Sequence, residues 1–148
     1  NRPQIGGFVN AFFLKQGSEC HNTQAMRGIP VYMAPEILMS HTPFSNKIDV
    51  FSYGIILYAA FTLKTRPDIG MKFGTELLDK GSEIKKIPKK FVDLIRGCWD
   101  PNPDSRPSFI QIVQKFMVEK ESYFDMDEVD ETEFDDYIQD ALENLAFW

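Results

Sequence analysis

Cysteine, histidine and lysine are the commonest bearers of chemistry, and in this chain their spacing argues against most of it. Two cysteines, Cys20 and Cys98, and two histidines form no Cys/His cluster. Neither a zinc site nor a disulfide framework follows; the pattern reads as reduced thiols in a cytosolic protein. Lysines 85, 86, 89 and 90 lie close together but lack interleaved aromatics and sit beside a helix start. They read as a solvated face rather than a nucleic-acid surface. Two carboxylates stand out instead. Glu36 falls near the end of residues 28–38, GIPVYMAPEIL, and Asp49 is the only charge in residues 48–63, IDVFSYGIILYAAFTL.

The second of these stretches is the element that positions the rest. Its apolar residues leave no polar face at helical spacing, so the helix should be buried on every side. Its uncharged run is too short to span a bilayer. It follows Ser45-Asn46, both good N-caps, and carries Asp49 in the first turn, at the positive end of the helix dipole. Gly54 should admit a close neighbouring backbone, at a cost of about 1 kcal/mol against alanine.

Around this post, 148 residues suffice for one core, and 43% hydrophobic with 26% charged residues reads as soluble and globular. The net charge of −6 hides an asymmetry: residues 119–148 hold twelve acidic residues against one lysine, and the remainder is mildly basic. No signal peptide or membrane segment is visible. Residues 10–27 show no periodicity and read as a long loop. The spacing of Phe91, Leu94, Ile95 and Cys98 predicts an amphipathic helix over 89–99. Ser108-x-x-Gln111 is a capping-box pattern opening a helix with Phe109, Ile112, Val113 and Phe116 on one stripe. Trp99 reads as a core anchor. The acidic segment 119–131 reads as loose. Thr132-x-x-Asp135 then resembles a capping box before an amphipathic helix, carrying Phe134, Tyr137, Ile138, Ala141, Leu142 and Leu145, that folds back or docks on a partner.

Three motifs in order now carry a resemblance. Met33-Ala34-Pro35-Glu36, preceded by Gly28, Pro30 and Tyr32, resembles the Ala-Pro-Glu end of the activation segment of protein kinases. Asp49-Val50-Phe51-Ser52-Tyr53-Gly54 resembles the Asp-Val-x-Ser-x-Gly start of the kinase F helix. Residues 98–109, CWDPNPDSRPSF, resemble the Cys-Trp…Arg-Pro motif near the end of that domain. The resemblance covers about residues 3–117. It implies a mainly α chain, the C-terminal lobe of the α+β protein-kinase-like fold, over residues 1–118, with 119–148 as an acidic tail bearing one amphipathic helix. Residues 75–80 match the family's G helix, and the connection 81–88 departs from the family pattern.

The resemblance also assigns roles. Glu36 should be buried and paired bidentately with Arg106, pinning the activation segment to the lobe. Asp49 should hold the backbone of the catalytic loop, besides standing in the first turn of its own helix. Gly28, Ile29, Pro30 and Tyr32 form the substrate-positioning loop; Ala34, Pro35, Gly54 and Trp99 are structural. Ser18 and Thr23 are candidate regulatory phosphosites.

Kinases act through a glycine-rich loop over the phosphates, a strand lysine, a catalytic-loop Asp and Asn, and an Asp that holds magnesium. The first three lie upstream of Asn1 in family order, so no catalytic residue is expected in these residues. The fourth aligns with Gly7-Phe8-Val9, where Gly7 replaces the metal-binding Asp, so no metal site is expected there. Ile29 replaces the usual threonine. Tyr32, where tyrosine kinases carry Trp, together with the Arg-Pro-Ser-Phe ending, resembles the tyrosine-kinase-like branch of Ser/Thr kinases. The resemblance implies ATP and magnesium in the parent protein and none for this chain alone. It implies as partners the upstream part of its own kinase domain and a protein substrate, with no nucleic acid and no membrane, in the cytoplasm. A pseudokinase or scaffold module is the second reading.

Overall fold

Helices carry the described chain. The computed structural model describes residues 5–11, 28–38, 43–63 and 87–123, and residues 130, 132, 133, 135, 136 and 139 of the C-terminal segment. Helix α1 is the single turn Pro35–Leu38 and α2 is Lys47–Thr62. Helix α3 is Lys89–Cys98, α4 is Phe109–Val118, and α5 is the short Lys120–Tyr123.

Local chemistry explains the ends. The Ser45 hydroxyl accepts the Lys47 amide at 3.3 Å, while the Asn46 side chain makes no capping bond. At the other end Leu63 takes a left-handed conformation, φ 55°, which breaks the helical ladder. The Pro88 carbonyl accepts the first free amides of α3, from Phe91 and Val92. Helix α4 opens on a complete capping box: the Ser108 hydroxyl accepts the Gln111 amide, and the Gln111 side chain accepts the Ser108 amide at 2.7 Å.

The core forms where α2 meets α3. Val50, Phe51, Ile55 and Tyr58 pack on Leu94, Ile95, Cys98 and Trp99, with Ile112 closing from α4. Each such side chain contributes about 1.5–3 kcal/mol by leaving water. A second aromatic cluster joins the helix ends: Phe91 lies 4.7 Å from Phe61 and 5.1 Å from Tyr123, whose ring is 4.9 Å from Phe116.

Four expectations change. Helix α2 is not buried on every side: Ile56 and Leu63 are 56% and 87% exposed, and Asp49 and Ala60 are exposed on the same face. Among the described residues its partners are α3, the Pro30–Tyr32 turn, Arg106 and Phe109, which leaves the face of Asp49, Ile56 and Ala60 uncovered. Gly54 admits side chains rather than a backbone, since an added Cβ would lie 2.7 Å from Trp99 Nε1 and 2.8 Å from Cys98 Cβ. The acidic stretch is not loose from residue 119, because α5 is helical and buries Tyr123 in the aromatic cluster. The cap of the C-terminal helical segment is Asp130 rather than Thr132: its Oδ1 accepts the amides of Thr132 and Glu133 at 3.0 and 3.1 Å. The aspartate two residues upstream is the stronger cap, since aspartate outranks threonine at a helix N-cap. The loop 12–27 with Ser18 and Thr23, the helix over 75–80, Lys85 and Lys86, and the apolar face from Phe134 to Leu145 lie outside the described residues.

Candidate functional site

The candidate site is the run from Gly28 to Leu38 and the residues that hold it. Gly28 has a φ of 131°, a conformation open to glycine, and Pro30–Tyr32 form a single 3-10 turn with proline at its first position. The turn closes through Tyr32 N–H to Ile29 O at 3.0 Å and Met33 N–H to Pro30 O at 3.2 Å. Gly28, Ile29 and Pro30 are exposed along its outer edge, whereas Met33 and Ala34 enter the core.

Below the turn the chain is held by charge. Arg106 is 1% exposed and Glu36 6% exposed. Their side chains meet as a fork, Nη1 to Oε1 at 2.6 Å and Nη2 to Oε2 at 2.9 Å, across 70 residues of sequence. The rest of the guanidinium is also occupied: Nε donates to Asp100 O at 2.9 Å and Nη1 to Lys47 O at 3.1 Å. In return the Lys47 ammonium donates to Arg106 O. Phe51 places its ring face 5.1 Å from Arg106 Cζ. Such a charge is tolerated in a core because nearly every donor has an acceptor.

The other expected site residues are placed differently. Asp49 is exposed, and among the described residues no hydrogen bond or ion pair reaches its carboxylate. Partial desolvation by the protein around it raises its pKa above the usual carboxylate range. Trp99 is a core anchor, 2% exposed and 5.5 Å from the Tyr58 ring. Its Nε1 is buried and has no acceptor among the described residues. Cys98 lies fully buried beside it, and burial pushes its thiol up to about 12, so it stays protonated at neutral pH. Lys89 and Lys90 are solvent-exposed, and Lys90 pairs with Glu119.

Magnesium does not fit the residues at hand. Gly7 supplies no donor, the position of its missing Cβ is open space, and Phe8 and Val9 point outward, 67% and 90% exposed. Among the described residues no group of three His, Cys, Asp or Glu side chains could hold a metal ion.

Two contacts escaped the sequence reasoning. Lys47 takes part in the Arg106 lattice, and Ser52 of α2 donates its hydroxyl to Tyr32 O at 2.6 Å. Ser52 was in view in the sequence as the serine of the Asp-Val-x-Ser-x-Gly stretch, but nothing local pointed to Tyr32.

Comparison with known proteins gives the family. The family model described as protein tyrosine and serine/threonine kinase matches residues 7–116. The chain is similar to the dual specificity protein kinase shkE of Dictyostelium discoideum, 33% identical over 129 residues, covering 76% of this chain and 16% of that protein. It is similar to shkA of the same organism, 40% identical over 95 residues, covering 60% and 18%. It is also similar to the tyrosine-protein kinase transforming protein Abl of Abelson murine leukemia virus, 37% identical over 90 residues, covering 57% and 12%. The chain therefore spans less than a fifth of the length of these relatives.

Proposed function

This chain belongs to the protein tyrosine and serine/threonine kinase family, and on that premise we propose that it is the C-terminal-lobe part of a protein Ser/Thr kinase of the tyrosine-kinase-like branch. In that reading the parent protein transfers phosphate from ATP to protein hydroxyls, with residues 28–32 positioning the substrate. Residues 1–118 belong to the kinase domain, and 119–148 form an acidic appendage. The observation that carries the reading is the buried Glu36–Arg106 fork. It ties the segment before Leu38 to the Trp99–Arg106 turn, which is what a loop presented to a substrate needs: an exposed edge on a fixed base.

The 148 residues contain no glycine-rich phosphate loop, no His-Arg-Asp sequence and no Asp-Phe-Gly. The partners implied are therefore the remainder of a kinase domain and a protein substrate. The described residues contain no helix long and apolar enough to cross a membrane.

A pseudokinase or scaffold is the second reading, and one observation favours it. Gly7 sits at the expected magnesium-ligand position in a left-handed conformation, φ 78°, that glycine adopts freely and aspartate adopts at a cost. One experiment separates the two. Magnesium-dependent phosphorylation of a Ser/Thr peptide by the longer protein, absent from these 148 residues alone, supports the kinase reading. If the longer protein shows no magnesium–ATP thermal shift and no transfer, the scaffold reading stands. Transfer by the 148 residues alone, above buffer background, overturns both.

A further inference from the structure

We propose that the aromatic cleft of Phe61, Phe91 and Phe116 is a docking site for the chain's own acidic C-terminal segment, with Tyr123 as the anchor that holds the segment in cis. The inference goes beyond the kinase reading and does not depend on it, because Tyr123 lies past residue 116, where the family match ends. It begins with the weakness of α5. Lys120–Tyr123 is a single helical turn. One turn does not sustain itself in water, since nucleation fixes several residues for very few hydrogen bonds. The turn also opens a segment, residues 119–148, with twelve acidic residues against one lysine, a composition that favours an open chain. Something outside the turn must hold it, and α5 packs against both α3 and α4.

The hold is aromatic. Tyr123 is buried, and its ring meets two others edge-on: Phe91 at 5.1 Å and 83°, Phe116 at 4.9 Å and 78°. Phe61 completes the cleft, 4.7 Å from Phe91. Edge-to-face contact is a favoured aromatic arrangement, and a buried ring is a common interface anchor. The rim is charged. Lys90 of α3 pairs with Glu119, the residue before α5. Lys120 meets Asp135 Oδ1 at 3.4 Å, which brings a residue 15 positions further along the chain back beside α5. Both pairs lie at the surface, where ion pairs add little stability, so the ring holds the segment and the charges orient it. The sign of the charges suits the fit, an acidic segment against a mildly basic body. Asp130, Glu133, Asp135 and Asp136 remain exposed, so the docked segment keeps its acidic side outward while its anchor is buried in the lobe.

Trypsin cleavage after Lys120 in the whole chain tests this, because a protease needs extended backbone and α5 must first leave the cleft. Tyr123→Ala should speed that cleavage by about ten-fold or more. Tyr123→Phe keeps the ring and should stay within about two-fold of the wild type. Asp135→Asn removes only a surface pair and should gain about three-fold at most. Cleavage after Lys115, within α4, reports the lobe and should keep its rate in all of these variants. Unchanged cleavage after Lys120 in Tyr123→Ala, or equal acceleration after Lys115, overturns the proposal. Wild-type protection should also survive dilution by about a hundred-fold. Protection that falls on dilution assigns the cleft to the segment of a second copy and overturns docking in cis.

Discussion

Replacing one member of the Glu36–Arg106 pair is the sharpest perturbation the structure offers. Glu36 and Arg106 are 6% and 1% exposed, so either partner left alone is a charge held out of water. Stranding a buried charge costs about 3–5 kcal/mol, a large share of the roughly 5–15 kcal/mol that stabilises a domain. With a urea m-value of about 2 kcal/mol/M, Glu36→Leu or Arg106→Met should lower the unfolding midpoint by about 1.5–2.5 M. Arg106→Met also leaves the carbonyls of Asp100 and Lys47 without their donors, so it should be the more damaging of the two. The double variant removes both charges, and it should be more stable than Arg106→Met alone. Urea unfolding followed by circular dichroism measures all four proteins of this cycle. Strict additivity of the two single losses, or a Glu36→Leu shift below roughly 0.5 M, would refute the claim that the fork is a coupled, buried pair.

Three further outcomes follow from the packing. Gly54→Ala should lower Tm by the equivalent of about 1–3 kcal/mol despite alanine's better helix propensity, because the new methyl would meet Trp99 Nε1 at 2.7 Å and Cys98 Cβ at 2.8 Å; a raised Tm would show that the contact yields. In a Cys20→Ser background, a thiol reagent at pH 8 should label Cys98 only after unfolding. With its pKa raised from 9.0 to about 12, the folded thiol keeps its proton while the unfolded one loses it, so stability is full below pH 9 and falls from there toward pH 12. The slope between pH 9 and 12 should be shallower in Cys98→Ala by up to about 1.4 kcal/mol per pH unit, with the raised Tyr123 and Lys90 accounting for what remains. Finally, the open face of α2 should drive association and dye binding, and Ile56→Gln with Leu63→Gln should reduce both; unchanged sedimentation and unchanged dye fluorescence would count against that face.

Much of this protein was legible in one dimension, because the signals were local. The spacing of Phe91, Leu94, Ile95 and Cys98 set helix α3 within a residue of its end, and Ser108 with Gln111 announced the start of α4. Capping and periodicity act over one or two turns, so the residues that decide them are neighbours in the chain. The three motifs likewise sufficed to name the family and to suggest that a glutamate and an arginine 70 residues apart would meet.

What tertiary structure alone decided concerns surfaces and partners. An all-apolar helix carries no mark of which face will find a neighbour, and α2 turns Val50, Phe51, Ile55 and Tyr58 inward while leaving Ile56 and Leu63 bare. The acidic composition after residue 118 hid Tyr123, because composition averages over a segment while burial is settled ring by ring against Phe91 and Phe116. Ser52 bonding Tyr32 and Lys47 bonding Arg106 are contacts between segments that no local rule connects. Hydrogen bonds and packing depend on distance in space, and only the folded chain brings those residues within reach.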